Sequence, residues 1–160
     1  MRLRDATDED LDLLHDMLYE AFTWDGTGRF TREQVIADEH TLRYLGGWRL
    51  PGDLGLVALD EDDHPLGAVW ARALPAHAPG YGYVADDVPE IGMGVAAAHR
   101  GRGVGSALLA GHLDQARAHG WRALSLSVED GNVAARALYE RHGFVAVGRN
   151  GGSDTMLREL

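Results

Sequence analysis

The stretch "AHRGRGVGSALLAGHL", residues 98–113, decides how this chain is read. Behind Arg100, the glycines Gly101, Gly103 and Gly105 alternate with Arg102 and Val104, and Leu108, Leu109 and Leu113 then follow at helical spacing. The first turn of a helix has N–H groups without intrahelical acceptors, and the helix dipole adds partial positive charge there. Glycines let a diphosphate reach those amides without meeting a Cβ, and Arg100 and Arg102 add cationic charge. The stretch is thus a candidate phosphate cradle running to Ser106, with a plain glycine-rich turn before an amphipathic helix as the alternative. A dinucleotide fingerprint needs GxGxxG after the first strand, whereas the spacing here is GxGxG late in the chain. The lysine-dependent phosphate loop is excluded, because every basic residue is arginine.

Working outward, "EIGMGVA" before the loop predicts a glycine-containing strand, and the helix over 104–119 is closed by Gly120. In "LSLSV", Leu124, Leu126 and Val128 share one face, with Ser125 and Ser127 opposite. "GNVAARALYERHG" predicts a helix ended by Gly143, with "FVAVGR" and "TMLREL" as closing strands. Toward the N-terminus, "MRLRDA" reads as a strand and Thr7 as the N-cap of a helix striped by Leu11, Leu14, Leu18 and Ala21. Thr31 and Gln34 form a capping box for one second helix reaching Leu45, stopped by "GG". "LGLVALD" and "LGAVWARAL" read as a hairpin around "EDDHP". The order β-α-α-β-β-β-α-β-α-β-β predicts one mixed α/β domain over residues 1–160.

Composition narrows the function. The net charge of −10 argues against nucleic acid as a partner. No apolar run is long enough for a membrane span, and the charged start "MRLRDATDED" makes the cytoplasm the expected address. The absence of cysteine removes disulfides, thiolate metal sites and a cysteine nucleophile. The eight histidines form no HExxH pair, "DEDDH" at 60–64 reads as a solvated turn, and no metal is expected. Neither Ser106 nor Ser153 sits in GxSxG, which leaves a serine hydrolase without local support.

Two motifs together resemble the GCN5-related N-acetyltransferase (GNAT) superfamily. "VAAAHRGRGVGSALL" is similar to its acyl-CoA-binding signature, R/Q-x-x-G-x-G/A, and "NVAARALYERHGF" to its second signature, with Asn132, Tyr139, Gly143 and Phe144. The resemblance spans essentially the whole chain. It implies a mostly antiparallel mixed sheet of about seven strands flanked by about four helices. It further implies acetyl-CoA as cosubstrate, the backbone of Met93, Gly94 and Val95 pairing with the pantetheine arm, Gly101 through Ser106 holding the pyrophosphate, and Asn132 facing the same groove.

Acetyl transfer to an amine needs a deprotonated amine, a stabilised oxyanion and a proton for the leaving thiolate. Tyr139 is the candidate acid, seven residues and nearly two turns beyond Asn132. Core packing of Tyr139 and simple helix capping by Asn132 are the structural alternatives. Family members often place a base at the start of the glycine-containing strand, where Glu90 stands. Others use a Glu five positions before the Asn; here that position is Ser127, a departure that weakens assignment to protein amino termini. Glu129 and a water path remain alternative bases. Trp24, Trp48, Tyr81 and Tyr83 are candidate walls for the acceptor, with Asp25, Asp86 and Asp87 attracting a cationic amine.

The expected activity is direct N-acetylation of a small-molecule or peptide amine. A catalytically silent acyl-CoA-binding module is the rival, and a nucleotide-binding protein is disfavoured by the glycine spacing. Whether the chain forms a homodimer, and which amine it takes, are not written in the sequence.

Overall fold

Alternating strands, helix caps and glycine stops order the chain as β1 (Arg2–Asp5), α1 (Leu11–Phe22), α2 (Arg32–Ala37), α3 (Glu39–Leu45), β2 (Leu54–Leu59), β3 (Pro65–Arg72), β4 (Glu90–Val95), α4 (Val104–His119), β5 (Ala123–Glu129), α5 (Val133–Arg141), β6 (Val145–Asn150) and β7 (Ser153–Glu159). In the computed structural model, which describes residues 1–160, the strands form one sheet in the order β1-β2-β3-β4-β5-β7-β6.

The single second helix expected from Thr31 to Leu45 is two. Asp38 adopts an extended conformation (φ −68°, ψ 132°) and starts α3 by accepting the His40 and Thr41 N–H groups at 2.9 and 3.1 Å. The apolar spacing runs through this break, so the pattern alone does not reveal it. Five helices therefore flank the sheet. The Thr31–Gln34 capping box does form, and Gly120 ends α4 in the left-handed region.

Alternation along the strands splits the core between the two faces. Val69 and Ala71 pack with Leu108, Leu109 and Leu124 on the α4 side, and Ala68 and Trp70 with Leu14, Leu18 and Tyr44 on the other. Leu108, Leu109 and Leu124 are fully buried, each stabilising the fold by roughly 1.5–3 kcal/mol.

One interruption in the sheet positions the site. β4 runs antiparallel to β3 over its whole length. Its parallel partnership with β5 consists of one pair, Glu90 with Ser125, anchored by Ser125 N–H to the Pro89 carbonyl at 3.0 Å. Beyond that pair the two strands part and a cleft opens between them.

Candidate active site

The cleft has a volume of about 890 Å³ and runs from Tyr44 and Glu90 at one end to Gly101 and Ser106 at the other. Its wall is a free strand edge. Ala96 N–H bonds to Leu66 O, so by antiparallel alternation Gly94 and Gly92 direct their backbone groups toward β3. Met93 and Val95 direct theirs toward the cleft, where β5 offers no partner. This corrects part of the expectation: Gly94 lines the cleft, but its backbone polar groups are engaged by β3. The Val95 carbonyl already accepts Arg100 Nε at 3.2 Å, leaving the Val95 N–H and both Met93 groups free.

At the far end the N–H groups of residues 101 to 106 find no acceptor in the chain. Gly101 and Gly103 take φ values of 72° and 84°, which side-chain-bearing residues rarely adopt, and a Cβ on either would point into open space. Gly105 is small for another reason, since a Cβ there would lie 3.1 Å from Leu138 of α5. Val104 points into the core, while Ser106 Oγ lies 2.9 Å from His142 Nε2.

The two arginines of the loop differ. Arg100 lines the cleft, but its guanidinium is turned onto α1, donating to Glu20 Oε2 at 2.6 Å and to the Trp24 carbonyl at 3.2 Å. Its positive charge is therefore already balanced. Arg102 is exposed and its side chain does not line the cleft.

Asn132 is the N-cap of α5, its Oδ1 accepting the Ala135 N–H at 3.3 Å, and it lines the cleft as well. Tyr139 packs its ring edge-on against Phe144 at 6.0 Å. Its hydroxyl bonds to no protein group and is not sealed in the core, which leaves it open to the cleft it lines. Burial pushes the phenol up to about 12.

Glu90 is buried rather than a solvated strand end. Oε1 accepts the Tyr44 hydroxyl and the Gly82 N–H, the latter at 2.7 Å, while Oε2 is buried without a partner. Burial raises its pKa above the ordinary carboxylate range, against the opposing pull of these two donors. The covering loop fits only because it carries glycine: a Cβ on Gly80 would lie 2.0 Å from Glu90 Oε2. Tyr44 is brought there by Arg72, whose NH1 donates to the Arg43 and Gly46 carbonyls at 3.0 and 2.7 Å while the same guanidinium pairs with buried Asp53. Nothing in the local sequence singles out Tyr44, because its partner is supplied by another element.

Glu129 reaches over the cleft, where it accepts Trp24 Nε1 at 2.8 Å and Arg29 at 2.6 Å. The Arg29 guanidinium holds its carboxyl below the ordinary range, which makes it a poor base near neutrality. Of the expected acceptor walls, Trp24 and Tyr81 line the cleft, joined by Phe22 and Phe30. Trp48 does not, being buried with its Nε1 on the Thr7 carbonyl. Tyr83 and Asp86 bond to each other, Asp87 pairs with Arg122, and Asp25 accepts from Thr27. None of these four groups lines the cleft. Asp60, Asp62 and His64 cluster at the β2–β3 turn, where the Asp60 carboxylate accepts the Asp62 and His64 N–H groups. No helix is long and apolar enough to cross a membrane.

A free strand edge, an amide-lined helix entrance and a buried acid–hydroxyl pair suit an extended, phosphate-tailed acyl donor meeting a second substrate. Comparison with known proteins agrees with that chemistry. The chain is 40% identical over 100 residues to a mycothiol acetyltransferase of Beutenbergia cavernae, covering 62% of this chain and 31% of that one. It is 35% identical over 130 residues to a mycothiol acetyltransferase of Rhodococcus erythropolis, covering 78% and 39%. The chain thus spans about a third of the length of these relatives. Among solved structures, a GCN5-related N-acetyltransferase from Kribbella flavida matches with a TM-score of 0.67 at 28% identity over 99% of this chain and 97% of that one. A phosphinothricin acetyltransferase from Sinorhizobium meliloti, solved in complex with AcCoA, shares the fold with a TM-score of 0.70 at 22% identity over 99% and 88%. The family model described as Acetyltransferase (GNAT) family matches residues 14–144, and the chain belongs to that family.

Proposed function

We propose that residues 1–160 act as one N-acetyltransferase domain, moving the acetyl group of acetyl-CoA directly to a primary amine of a small molecule or peptide. The interrupted sheet carries this reading. A pantetheine arm laid along β4 meets the free groups of Met93 and Val95, and its diphosphate meets the amides of residues 101 to 106. Asn132 flanks the same cleft. Arg100 contributes by holding α1 against the end of β4, and Arg102 contributes its backbone N–H.

The amine's proton is taken up by Glu90, whose pKa burial raises above its ordinary value while the Tyr44 hydroxyl bonds the carboxylate. The amine nitrogen then attacks the thioester carbonyl, and the free N–H groups of β4 are the donors at hand for the developing oxyanion. Collapse breaks the carbon–sulfur bond, the Tyr139 hydroxyl supplies the proton to the departing CoA thiolate, and the second proton leaving the amide nitrogen restores the phenol. With no cysteine to carry the acetyl group, transfer occurs within a ternary complex. Small-molecule acceptors are favoured by the two relatives named for mycothiol.

A CoA-release screen tests the assignment against amino acids, polyamines, aminoglycosides, peptides and amines related to mycothiol. The chain itself adds no thiol background and has only its N-terminal amine to be acetylated. Amine-dependent CoA release supports the enzyme. Tight CoA binding with no release across the panel would favour the silent module.

A further inference from the structure

At the Glu90 end the cleft is walled by rings. Buried Tyr44 stacks on Tyr81 with centroids 6.3 Å apart and planes 14° from parallel, and Phe22 meets Tyr81 edge-on at 6.0 Å. Tyr81 is fixed through its backbone: its N–H donates to the Tyr44 hydroxyl at 2.8 Å, and its carbonyl accepts Asn150 Nδ2 at 3.2 Å. Trp24 and Phe30 continue the aromatic lining from the loop after α1. Phe22, Trp24 and Tyr81 are half-buried and Phe30 is exposed, so open ring surface leads to the carboxylate.

The charges along this wall are already matched. Glu129 accepts both arms of the Arg29 guanidinium, at 2.6 and 2.5 Å, and Arg29 also donates to the Phe22 carbonyl at 3.2 Å. Glu20 holds Arg100 at 2.6 Å. Asp38 and Arg43 act on Tyr81 from outside the cleft and are engaged as well. Asp38 caps α3, and Arg43 donates to the Pro79 carbonyl at 2.8 Å. Among the acids lining the cleft, Glu20, Glu90 and Glu129, only Glu90 lacks a cationic partner. A carboxylate on the acceptor would therefore meet no free guanidinium at this end. A second ammonium would meet no free carboxylate besides the base. Either charge would be desolvated without compensation.

We propose that the acceptor is an arylalkyl monoamine: one primary amine joined by a short saturated tether to an aromatic ring, which packs among Phe22, Phe30 and Tyr81 while the nitrogen reaches Glu90. The proposal rests on the acetyl-transfer reading above and names the substrate class of that same site. Offset and edge-on ring pairs add to the gain from burying apolar area. Wall rings held by their own contacts lose little freedom on binding. The reaction forms one carbon–nitrogen bond and breaks the thioester carbon–sulfur bond. It turns the ammonium and acetyl-CoA into the N-acetyl amide, free CoA thiol and one proton.

CoA release at saturating acetyl-CoA decides the matter, with phenethylamine, propylamine, phenylalanine, putrescine and glucosamine as acceptors. Propylamine lacks the ring, phenylalanine adds a carboxylate, putrescine adds a second ammonium, and glucosamine presents hydroxyls in place of the ring. Phenethylamine should exceed each of the others roughly tenfold or more in kcat/KM. Phe22→Ala and Phe30→Ala should each cut the preference for phenethylamine over propylamine about fivefold or more, through KM. Phe30 is exposed, so its variant is decisive even if Phe22→Ala does not fold. Equal turnover of phenethylamine and propylamine, or a preference unchanged in Phe30→Ala, would overturn the proposal. Preferred turnover of phenylalanine, putrescine or glucosamine would also overturn it, while leaving the acetyl-transfer reading standing. No CoA release from any amine would overturn both.

Discussion

The Tyr44 hydroxyl donates to Glu90 Oε1 and accepts the Tyr81 N–H at 2.8 Å, which joins a helix, a loop and the first residue of β4 at one buried point. The bond favours the charged carboxylate, whereas burial opposes it. Tyr44→Phe should therefore raise the Glu90 pKa further. A base works only when deprotonated, so activity falls as pH drops through that value, and the acid limb of kcat/KM should move to higher pH in Tyr44→Phe. Glu90→Gln should abolish the limb, leaving a rate that follows the free amine. An unmoved limb in Tyr44→Phe with a lost limb in Glu90→Gln would reduce Tyr44 to packing. An unchanged profile in Glu90→Gln would remove Glu90 as the base.

Tyr139→Phe removes a hydroxyl that bonds to nothing in the protein, so the ring contact with Phe144 and the melting temperature should hardly change. Loss of a positioned acid typically costs about 10²- to 10⁴-fold. A fall of at least tenfold in the single-turnover rate is expected, with unchanged acetyl-CoA affinity. A full single-turnover rate in the Phe variant would exclude Tyr139 as the acid.

Gly103→Val forces a branched residue into φ 84° at the N-cap of α4, a strain of roughly 1–2 kcal/mol. It also places methyl groups in the open space facing the loop amides. CoA should lose affinity while most of the fold survives. In the wild type, acetyl-CoA at one hundred times its dissociation constant should add about 2.7 kcal/mol of stability. Melting curves with and without ligand read both effects.

His112 on α4 predicts a pH dependence unrelated to catalysis. It is fully buried, with Nδ1 on Gln115 and Nε2 unpartnered, and burial lowers its value from 6.5 to about 4. Between those values the unfolded chain binds a proton that the folded chain refuses, so stability declines as pH falls from 6.5 toward 4 and is fully present above that window. The depth of the decline is roughly 3 kcal/mol. Denaturant midpoints for wild type and His112→Gln should converge at low pH, with the variant showing the shallower slope. Parallel slopes would contradict this account.

What is legible in the sequence follows the range of the interactions. The α4 entrance, the glycine stops and the strand alternation rest on neighbours in the chain, and local chemistry is enough to read them. The break at Asp38 is hidden because one capping side chain overrides a continuing apolar pattern. Tyr44, Arg29 and Trp24 acquire their places from Glu90 and Glu129, partners that folding alone brings near. Trp48 reads as an acceptor wall because aromatic residues in loops resemble binding groups; its indole N–H instead satisfies the Thr7 carbonyl.

The single pair joining β4 to β5 has a mechanical consequence. Two plates, one ending at β4 and the other beginning at β5, meet at a seam of one residue from each, and one of those residues is Glu90. Occupying the gap beyond the seam braces one plate against the other and steadies the carboxylate at the pivot. Amide exchange at Met93 and Val95 should slow on adding acetyl-CoA, and the amine should bind productively only afterwards. The cosubstrate would thus act as the missing rib of the sheet, setting a compulsory order of entry.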